Sequence, residues 1–272
     1  MNYEKIIRGL KTVRDFKDKS VGEEVLKAMV DYASSLTLPT ASKVNVKTVY
    51  RGTDVEESLK GKVGYFGNLI AAPHYILAYG EDSSDFRVNA GYFMEALRFK
   101  AEEAELGTCW LEANNDKALK IALGVEEDEF IAGILAVGIP YEGYFRQDIE
   151  KKSDRNSASE IVYSSSWGNE VMWDDLYQLG VGEAFSLVRL APSAGNQQPW
   201  KFVMEGSEIY LFMLNRGKEL TDLETGIILL YLEKAFMNLH IRRLEKSQEE
   251  LEKAISTMKI PADYACRAVY TL

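Results

Sequence analysis

The sequence predicts an α+β fold made of two homologous halves, each with a mixed sheet flanked by helices. Helical and strand-like hydrophobic patterns alternate along the 272 residues. A polar stretch over residues 151–170 interrupts this alternation, and three short segments that precede it recur after it in the same order. We therefore expect a full half over residues 1–160 and a shortened half over 161–272, packed as one unit.

Hydrophobic periodicity in the first half indicates two helices and three strands. In chain order these are helix Val21–Val30, strand Lys47–Arg51, strand Pro73–Tyr79, helix Asp85–Ala104 and strand Phe130–Ile139. In the long second helix, apolar residues recur four apart, so we expect Glu95 and Arg98 to face water. Gly107 is expected to stop this helix.

The second half shows the same order of elements in shortened form. Its predicted elements are helix Asp174–Leu190, strands Trp200–Met204 and Ile209–Leu214, helix Asp222–Glu245 and strand Tyr264–Thr271. Three segments repeat between the halves: Leu38–Ala41 as Ala191–Ala194, Gly91–Leu97 as Gly226–Leu232, and Glu129–Ala132 as Asp263–Cys266. Each match is weak by itself, but three in one order indicate an internal duplication.

Charge and composition exclude several classes of function. The net charge of −10 argues against nucleic acid or an anionic membrane as a partner. The apolar stretches are too short to cross a bilayer, which takes about 20 residues, and the N-terminus lacks a signal-peptide core. Cys109 and Cys266 stand in no metal-like spacing, so we expect no metal site and no disulfide framework. A cytoplasmic location is therefore expected.

The segment Arg189–Val203 reads R-L-A-P-S-A-G-N-Q-Q-P-W-K-F-V. Its composition alone predicts a loop between a helix and a strand. The segment also resembles the signature A-P-S-x-x-N-x-Q-P-W-x-F of the nitroreductase-like flavoproteins. That resemblance implies FMN as the cofactor and a set of flavin-binding positions here: Pro192, Ser193, Ala194, Asn196 and Gln198.

Two basic segments resemble the phosphate-binding parts of the same family. Lys11–Phe16 is similar to the pattern R-R-S-x-R-x-F, although Leu10 replaces the first arginine and Lys11 the second. The resemblance implies contacts from Lys11, Thr12 and Arg14 to the FMN phosphate and ribityl chain. Lys151–Arg155 resembles the basic tail that closes on the phosphate, which implies roles for Lys152 and Arg155. Without the resemblance, such charges are usually solvated surface groups.

Glu105–Glu112 resembles the family segment G-L-G-x-x-x-[ILP]-E. The resemblance implies that the backbone at Leu111 and Glu112 approaches the flavin ring, with an amide N–H near N5. Read without the family, the same glycine is a helix stop, and both interpretations can hold together.

In this family the flavin lies at a homodimer interface, and here the motifs are divided between the two halves. The first half carries the basic motifs, and its counterpart of the loop, Pro39–Asn45, has lost Q-P-W. We therefore expect an intramolecular pseudo-dimer with one intact and one degenerate FMN site, active as a monomer.

The resemblance implies an FMN-dependent oxidoreductase that passes hydride from NAD(P)H to a flat, electron-poor acceptor of the nitroaromatic or quinone type. No side chain is assigned a catalytic role, because the flavin carries the hydride step. The alternative is a flavin-binding protein, or a degenerate pseudo-enzyme, with little turnover. The acceptor and the preference for NADH or NADPH stay open.

Overall fold

The computed structural model describes residues 1–50, 53–65, 67–141, 154–239 and 241–272, with the backbone only for Thr53 and Asp54. The chain divides into two compact units, residues 1–151 and 152–272. The sequence predicts this boundary after residue 160. Arg155 therefore lies in the second unit of the structure, whereas the predicted boundary would put it in the first half. Among the described helices, none has both the length and the apolar character needed to cross a bilayer.

The first unit contains a five-stranded sheet and five helices in its described part. The elements are α1 (Tyr3–Gly9), α2 (Glu23–Ser34), β1 (Asn45–Tyr50), α3 (Thr53–Leu59), β2 (Val63–Gly64), β3 (His74–Glu81), α4 (Ser84–Glu103), β4 (Gly107–Ala113), α5 (Lys117–Leu123) and β5 (Glu129–Gly138). The strand order is β1-β3-β5-β4-β2, and neighbouring strands pair antiparallel. A parallel bridge joins Thr12 to Thr108 of β4.

Helix α4 is buried on nearly all sides, and this overturns one expectation. Glu95 is 0% and Arg98 2% exposed, so the prediction that they face water is wrong. Arg98 Nη1 donates to both oxygens of Glu95 at 2.8 and 3.1 Å, and Trp110 Nε1 donates to the same carboxylate at 2.9 Å. A buried ion pair is tolerated because its charges and hydrogen-bonding groups satisfy one another.

Gly107 has a different role from the one expected. Helix α4 ends earlier, because Glu105 adopts a left-handed φ of 58° and Leu106 N donates to Ala101 O at 2.9 Å. Gly107 is the first residue of β4, and a Cβ there would lie 2.8 Å from side-chain atoms of Val13. The glycine therefore permits the close approach of the N-terminal segment to the sheet.

The second unit contains a mixed five-stranded sheet. Its elements are α6 (Ala158–Ile161), β6 (Val162–Ser164), α7 (Trp173–Gln178), α8 (Gly182–Val188), β7 (Trp200–Glu205), β8 (Glu208–Leu214), α9 (Lys218–Phe236), β9 (Arg242–Leu244), α10 (Gln248–Met258) and β10 (Tyr264–Thr271). The strand order is β6-β7-β8-β10-β9. Strand β6 is parallel to β7, and the other pairs are antiparallel.

Two helix predictions in this unit are wrong in extent. The expected helix Asp174–Leu190 is two helices, α7 and α8, because Gly180 takes a left-handed φ of 77° between them. The expected helix Asp222–Glu245 ends at Phe236. Arg242–Leu244 instead pairs with the edge of β10, where its backbone groups find partners in the sheet.

The two units repeat one topology, which confirms the predicted duplication. Four strands of the first sheet, in the order β1-β3-β5-β4, correspond to β7-β8-β10-β9 of the second. The equivalent helices α5 and α10 also end alike. Gly124 and Lys259 take left-handed φ values of 60° and 57°, and the next residues, Val125 and Ile260, donate back to Lys120 O and Ile255 O.

Candidate functional site

In the second unit, the segment Pro192–Pro199, here named the signature loop, connects α8 to β7. Gly195, Asn196 and Gln198 have positive φ values of 60°, 55° and 48°. Left-handed backbone is uncommon for residues other than glycine, and it persists only where surrounding bonds enforce it. The hydroxyl of Ser193 accepts from Gln198 N at 2.8 Å, and Ser193 O accepts from Asn196 N at 3.0 Å. Hydrogen bonds to Ser193 thus stabilise the conformation of the loop.

Gln198 ties the signature loop to the segment that precedes α6. Its side chain is 5% exposed, and its Oε1 accepts from Asn156 N at 2.8 Å. Its Nε2 donates to Asp154 O at 3.3 Å and to Asn196 O at 3.1 Å. Both amide protons are therefore committed to the protein backbone, and Gln198 acts by fixing the position of residues 154–156.

Arg155 and Asn196, both predicted from the sequence, are brought together in the second unit. Arg155 Nη1 donates to Asn196 Oδ1, and Asn196 Nδ2 donates to Asp154 O at 3.1 Å. Arg189 holds the backbone of this segment, since it donates to Asn156 O at 2.7 Å and to Arg155 O at 2.9 Å. Arg189 begins the signature segment, but the sequence pattern predicts no role for it.

Two further residues that were not predicted from the sequence hold the middle of the signature loop. Glu224 of α9 accepts from Ala194 N at 2.9 Å and pairs with Arg216 at 3.1 Å. Arg216 Nη2 also reaches Ala194 O in a long hydrogen bond of 3.5 Å. Glu224 is 1% exposed, and burial raises its pKa while the bonds to Ala194 and Arg216 oppose the rise.

In the first unit, the segment Lys11–Phe16, here named the N-terminal motif, is anchored to β4. Val13 N donates to Thr108 O at 2.8 Å. Arg98 donates from Nη2 to Lys11 O at 3.3 Å and from Nε to Thr108 Oγ1 at 3.1 Å. The buried Glu95–Arg98 pair thus extends to the backbone of the predicted phosphate-binding residues.

The three predicted phosphate-binding side chains of the N-terminal motif reach the surface of the first unit, whereas Val13 is buried. Lys11 is exposed, and Thr12 and Arg14 are half-buried. The guanidinium carbon of Arg14 lies 4.3 Å from the centre of the Tyr65 ring, which holds the charged group in a defined place.

Leu111 and Glu112 lie in β4, and Lys152 lies outside the described residues. Leu111 is 2% exposed and its side chain belongs to the hydrophobic core, whereas Glu112 is exposed. A contact of Leu111 with a ligand would therefore be made by its backbone, as the family resemblance implies.

The residues present fit the phosphate of FMN. A phosphate dianion is bound by cationic and hydroxyl donors, which Lys11, Thr12 and Arg14 supply within four consecutive residues. The backbone N–H groups of residues 196–198 are used inside the signature loop, so that stretch of backbone is no anion cradle. The polar side chains of the signature loop, together with Arg155 beside them, are of the kind that bind uncharged polar groups and anions.

The family model described as "Putative TM nitroreductase" matches residues 2–235. The chain belongs to this nitroreductase family. The match confirms the resemblance seen in the signature loop, and membership makes the protein an oxidoreductase by family. A search of curated proteins found no match.

A solved structure of a Thermotoga maritima protein, described as a "putative nitroreductase", shows the same fold. It has a TM-score of 0.61 at 18% identity, and the match covers 99% of this chain and 92% of the Thermotoga chain. An FMN-dependent nitroreductase of Clostridium difficile (TM-score 0.46, 18% identity) covers 54% of this chain and 92% of its own. A nitroreductase-like protein of Bacillus cereus (TM-score 0.45, 18% identity) covers 57% and 94%.

Proposed function

We propose that this oxidoreductase binds FMN and passes hydride from NAD(P)H to a flat, electron-poor acceptor such as a nitroaromatic or a quinone. Support comes chiefly from the way in which Gln198 and Arg189 hold Arg155 beside Asn196 of the signature loop. A family sequence motif and a cationic side chain that are distant in sequence form one hydrogen-bonded arrangement. Ordering this arrangement costs conformational entropy and backbone strain. The binding of a polar, anionic cofactor would explain why the protein keeps it.

The proposed FMN-binding residues fall into three groups. They are Lys11, Thr12 and Arg14 of the N-terminal motif; Leu111 and Glu112 of β4; and Lys152, Arg155, Pro192, Ser193, Ala194, Asn196 and Gln198. The cationic members neutralise the phosphate in a protein whose net charge is −10. The loop residues orient the ring system, and Gln198 contributes through the backbone that it holds.

Bound FMN would supply the hydride chemistry, so the chain's own residues need to bind and orient rather than exchange protons. We propose no catalytic side chain and no metal. A flat site over a flavin admits nitroaromatics and quinones alike. The cytoplasm, where NAD(P)H is abundant, is the proposed location, and one chain is the proposed working unit.

The absorption spectrum of the purified protein tests this proposal. A yellow protein that is bleached anaerobically by NADH or NADPH, and regains its colour with a nitroaromatic or a quinone, supports the oxidoreductase. A yellow protein that neither nicotinamide reduces would instead be a flavin-binding protein. A colourless protein that ignores added FMN would have kept the scaffold without the cofactor, and would contradict the proposal.

A further inference from the structure

Ala194, at the centre of the signature loop, is held at both of its backbone polar groups. Its N–H donates to Glu224 and its carbonyl accepts from Arg216, while these two side chains pair with each other at 3.1 Å. Glu224 is 1% exposed and lies in α9, and Arg216 precedes that helix. The two charges therefore fix one residue of the loop to the rigid core of the second unit.

In the first unit, the corresponding loop is held by a neutral side chain. Aligning Gly91 with Gly226 places Asn89 of α4 at the position of Glu224. The single amide of Asn89 accepts from Thr40 N at 3.0 Å and donates to Thr40 O at 3.0 Å, in the loop that has lost the signature residues. An amide therefore suffices to hold a loop at this position. The second unit uses a carboxylate and a guanidinium where the loop keeps its motif.

The difference between the two copies identifies what the ion pair adds. Charge-assisted hydrogen bonds are shorter and about twice as strong as neutral ones. A buried ion pair, by contrast, adds little net stability, because desolvation offsets the attraction. Net stability therefore does not account for the ion pair. Its effect is to restrict the motion of Ala194 more strongly than a neutral amide would.

We propose that Glu224 and Arg216 are positioning residues that hold Ala194 so that Ser193 and Asn196 are ordered for the flavin before it binds. The part that concerns the flavin rests on the proposed function. We expect loss of the ion pair to leave the fold intact. The loop would then become ordered only when FMN binds, and the free-energy cost of that ordering would weaken FMN binding.

Glu224→Gln is the first test, since glutamine keeps an acceptor for Ala194 N but removes the charge. Glu219→Gln is the matched control, because Glu219 is an exposed residue of the same helix. In flavin-free protein we expect Glu224→Gln to speed amide hydrogen exchange in residues 193–198 at least fivefold, with a melting temperature close to that of wild type. We expect the FMN dissociation constant to rise about tenfold, the effect of losing one charge-assisted bond.

Arg216 gives a second, independent test in a half-exposed position. Arg216→Met is expected to reproduce both effects and also to lower the melting temperature, because it leaves the buried Glu224 carboxylate without its cation. Arg216→Lys, which keeps the charge, is expected to restore part of each. Such rescue by a conservative change is not expected of a residue that merely fills space.

The outcomes separate this inference from the proposed function. A wild-type protein that does not bind FMN overturns the proposed function and the flavin part of the inference, while hydrogen exchange still decides whether the pair holds the loop. A wild-type protein that binds FMN, with Glu224→Gln equal to Glu219→Gln in exchange and affinity, overturns the inference and leaves the proposed function standing.

Discussion

The backbone N–H of Asn156 donates a hydrogen bond of 2.8 Å to the side-chain oxygen of Gln198, which lies 42 residues further along the chain. Through this bond, the segment with Arg155 and the signature loop form one local structure within the second unit. The family motif therefore specifies a connection inside the protein, in addition to the flavin contacts that we propose for it.

Replacing Gln198 by methionine is expected to weaken this structure. Methionine keeps the length of the side chain but removes the hydrogen bonds that Gln198 makes with Asn156 N, Asp154 O and Asn196 O. We expect a loss of about 1–3 kcal/mol in the free energy of unfolding, measured in urea, and weaker FMN binding. Gln197→Met is the control, since Gln197 is exposed. Equal effects of the two changes would contradict the assigned role of Gln198.

Arg14 is expected to contribute to FMN affinity through the phosphate. Arg14→Ala should weaken binding by about 1–3 kcal/mol, as measured by fluorescence titration. Arg14→Lys should recover only part of the loss, because a lysine does not reproduce the flat contact with Tyr65 or a bidentate bond. Lys5→Ala, an exposed change in α1, serves as the control. Unchanged affinity in Arg14→Ala would remove Arg14 from the site.

The contact between Gly107 and Val13 is testable by a double-mutant cycle. Gly107→Ala places a methyl group 2.8 Å from atoms of the Val13 side chain, so we expect a loss of stability of about 1–3 kcal/mol. Val13→Ala removes two of the carbon atoms that would clash. The combined variant should then be more stable than the sum of the two single losses predicts. Additive losses would show that Gly107 is needed for another reason.

His74 predicts a particular dependence of stability on pH. The ring is 2% exposed, its Nε2 accepts from Val21 N at 2.8 Å, and burial lowers its pKa from 6.5. As the pH falls, His74 is therefore protonated at a higher pH in the unfolded chain than in the folded protein. Stability is lost as the pH falls below 6.5 toward the lower pKa of the folded state.

The variant His74→Gln removes this titration, so its free energy of unfolding should fall less steeply between about pH 7 and pH 5 than that of the wild type. Urea unfolding across that range measures the difference, and His240 is common to both proteins. Parallel pH curves for wild type and variant would contradict the account of His74.

Elements with a clear hydrophobic period were predictable from the sequence. Strand Tyr264–Thr271 was predicted with the bounds that the structure gives, and the long helix α4 within a residue at each end. Helix α10 was missed, although Ser247 and Glu250 form a capping box whose spacing is visible in the sequence. The predicted helix extends beyond the end of α9 because the charged residues after Phe236 continue a helical pattern. In the structure, Arg242–Leu244 instead pair along the edge of the sheet.

The candidate site was predictable where local motifs carry it, and not where distant residues do. Asn196 and Arg155 were named from sequence patterns and lie together. Glu224 and Arg216 were missed because a glutamate within an apolar helix gives no sign of the loop it will meet. Glu95 and Arg98 were misplaced for a related reason, since mutual pairing allows charged residues to be buried.

The number of FMN molecules bound per chain tests the central claim most directly. FMN is titrated into flavin-free protein, and bound flavin and protein are quantified independently at saturation. The account predicts about one FMN per chain, since one copy of the duplicated unit keeps the signature loop and the other has lost it. A ratio near two would contradict the single site, and a ratio near zero would contradict the flavin itself.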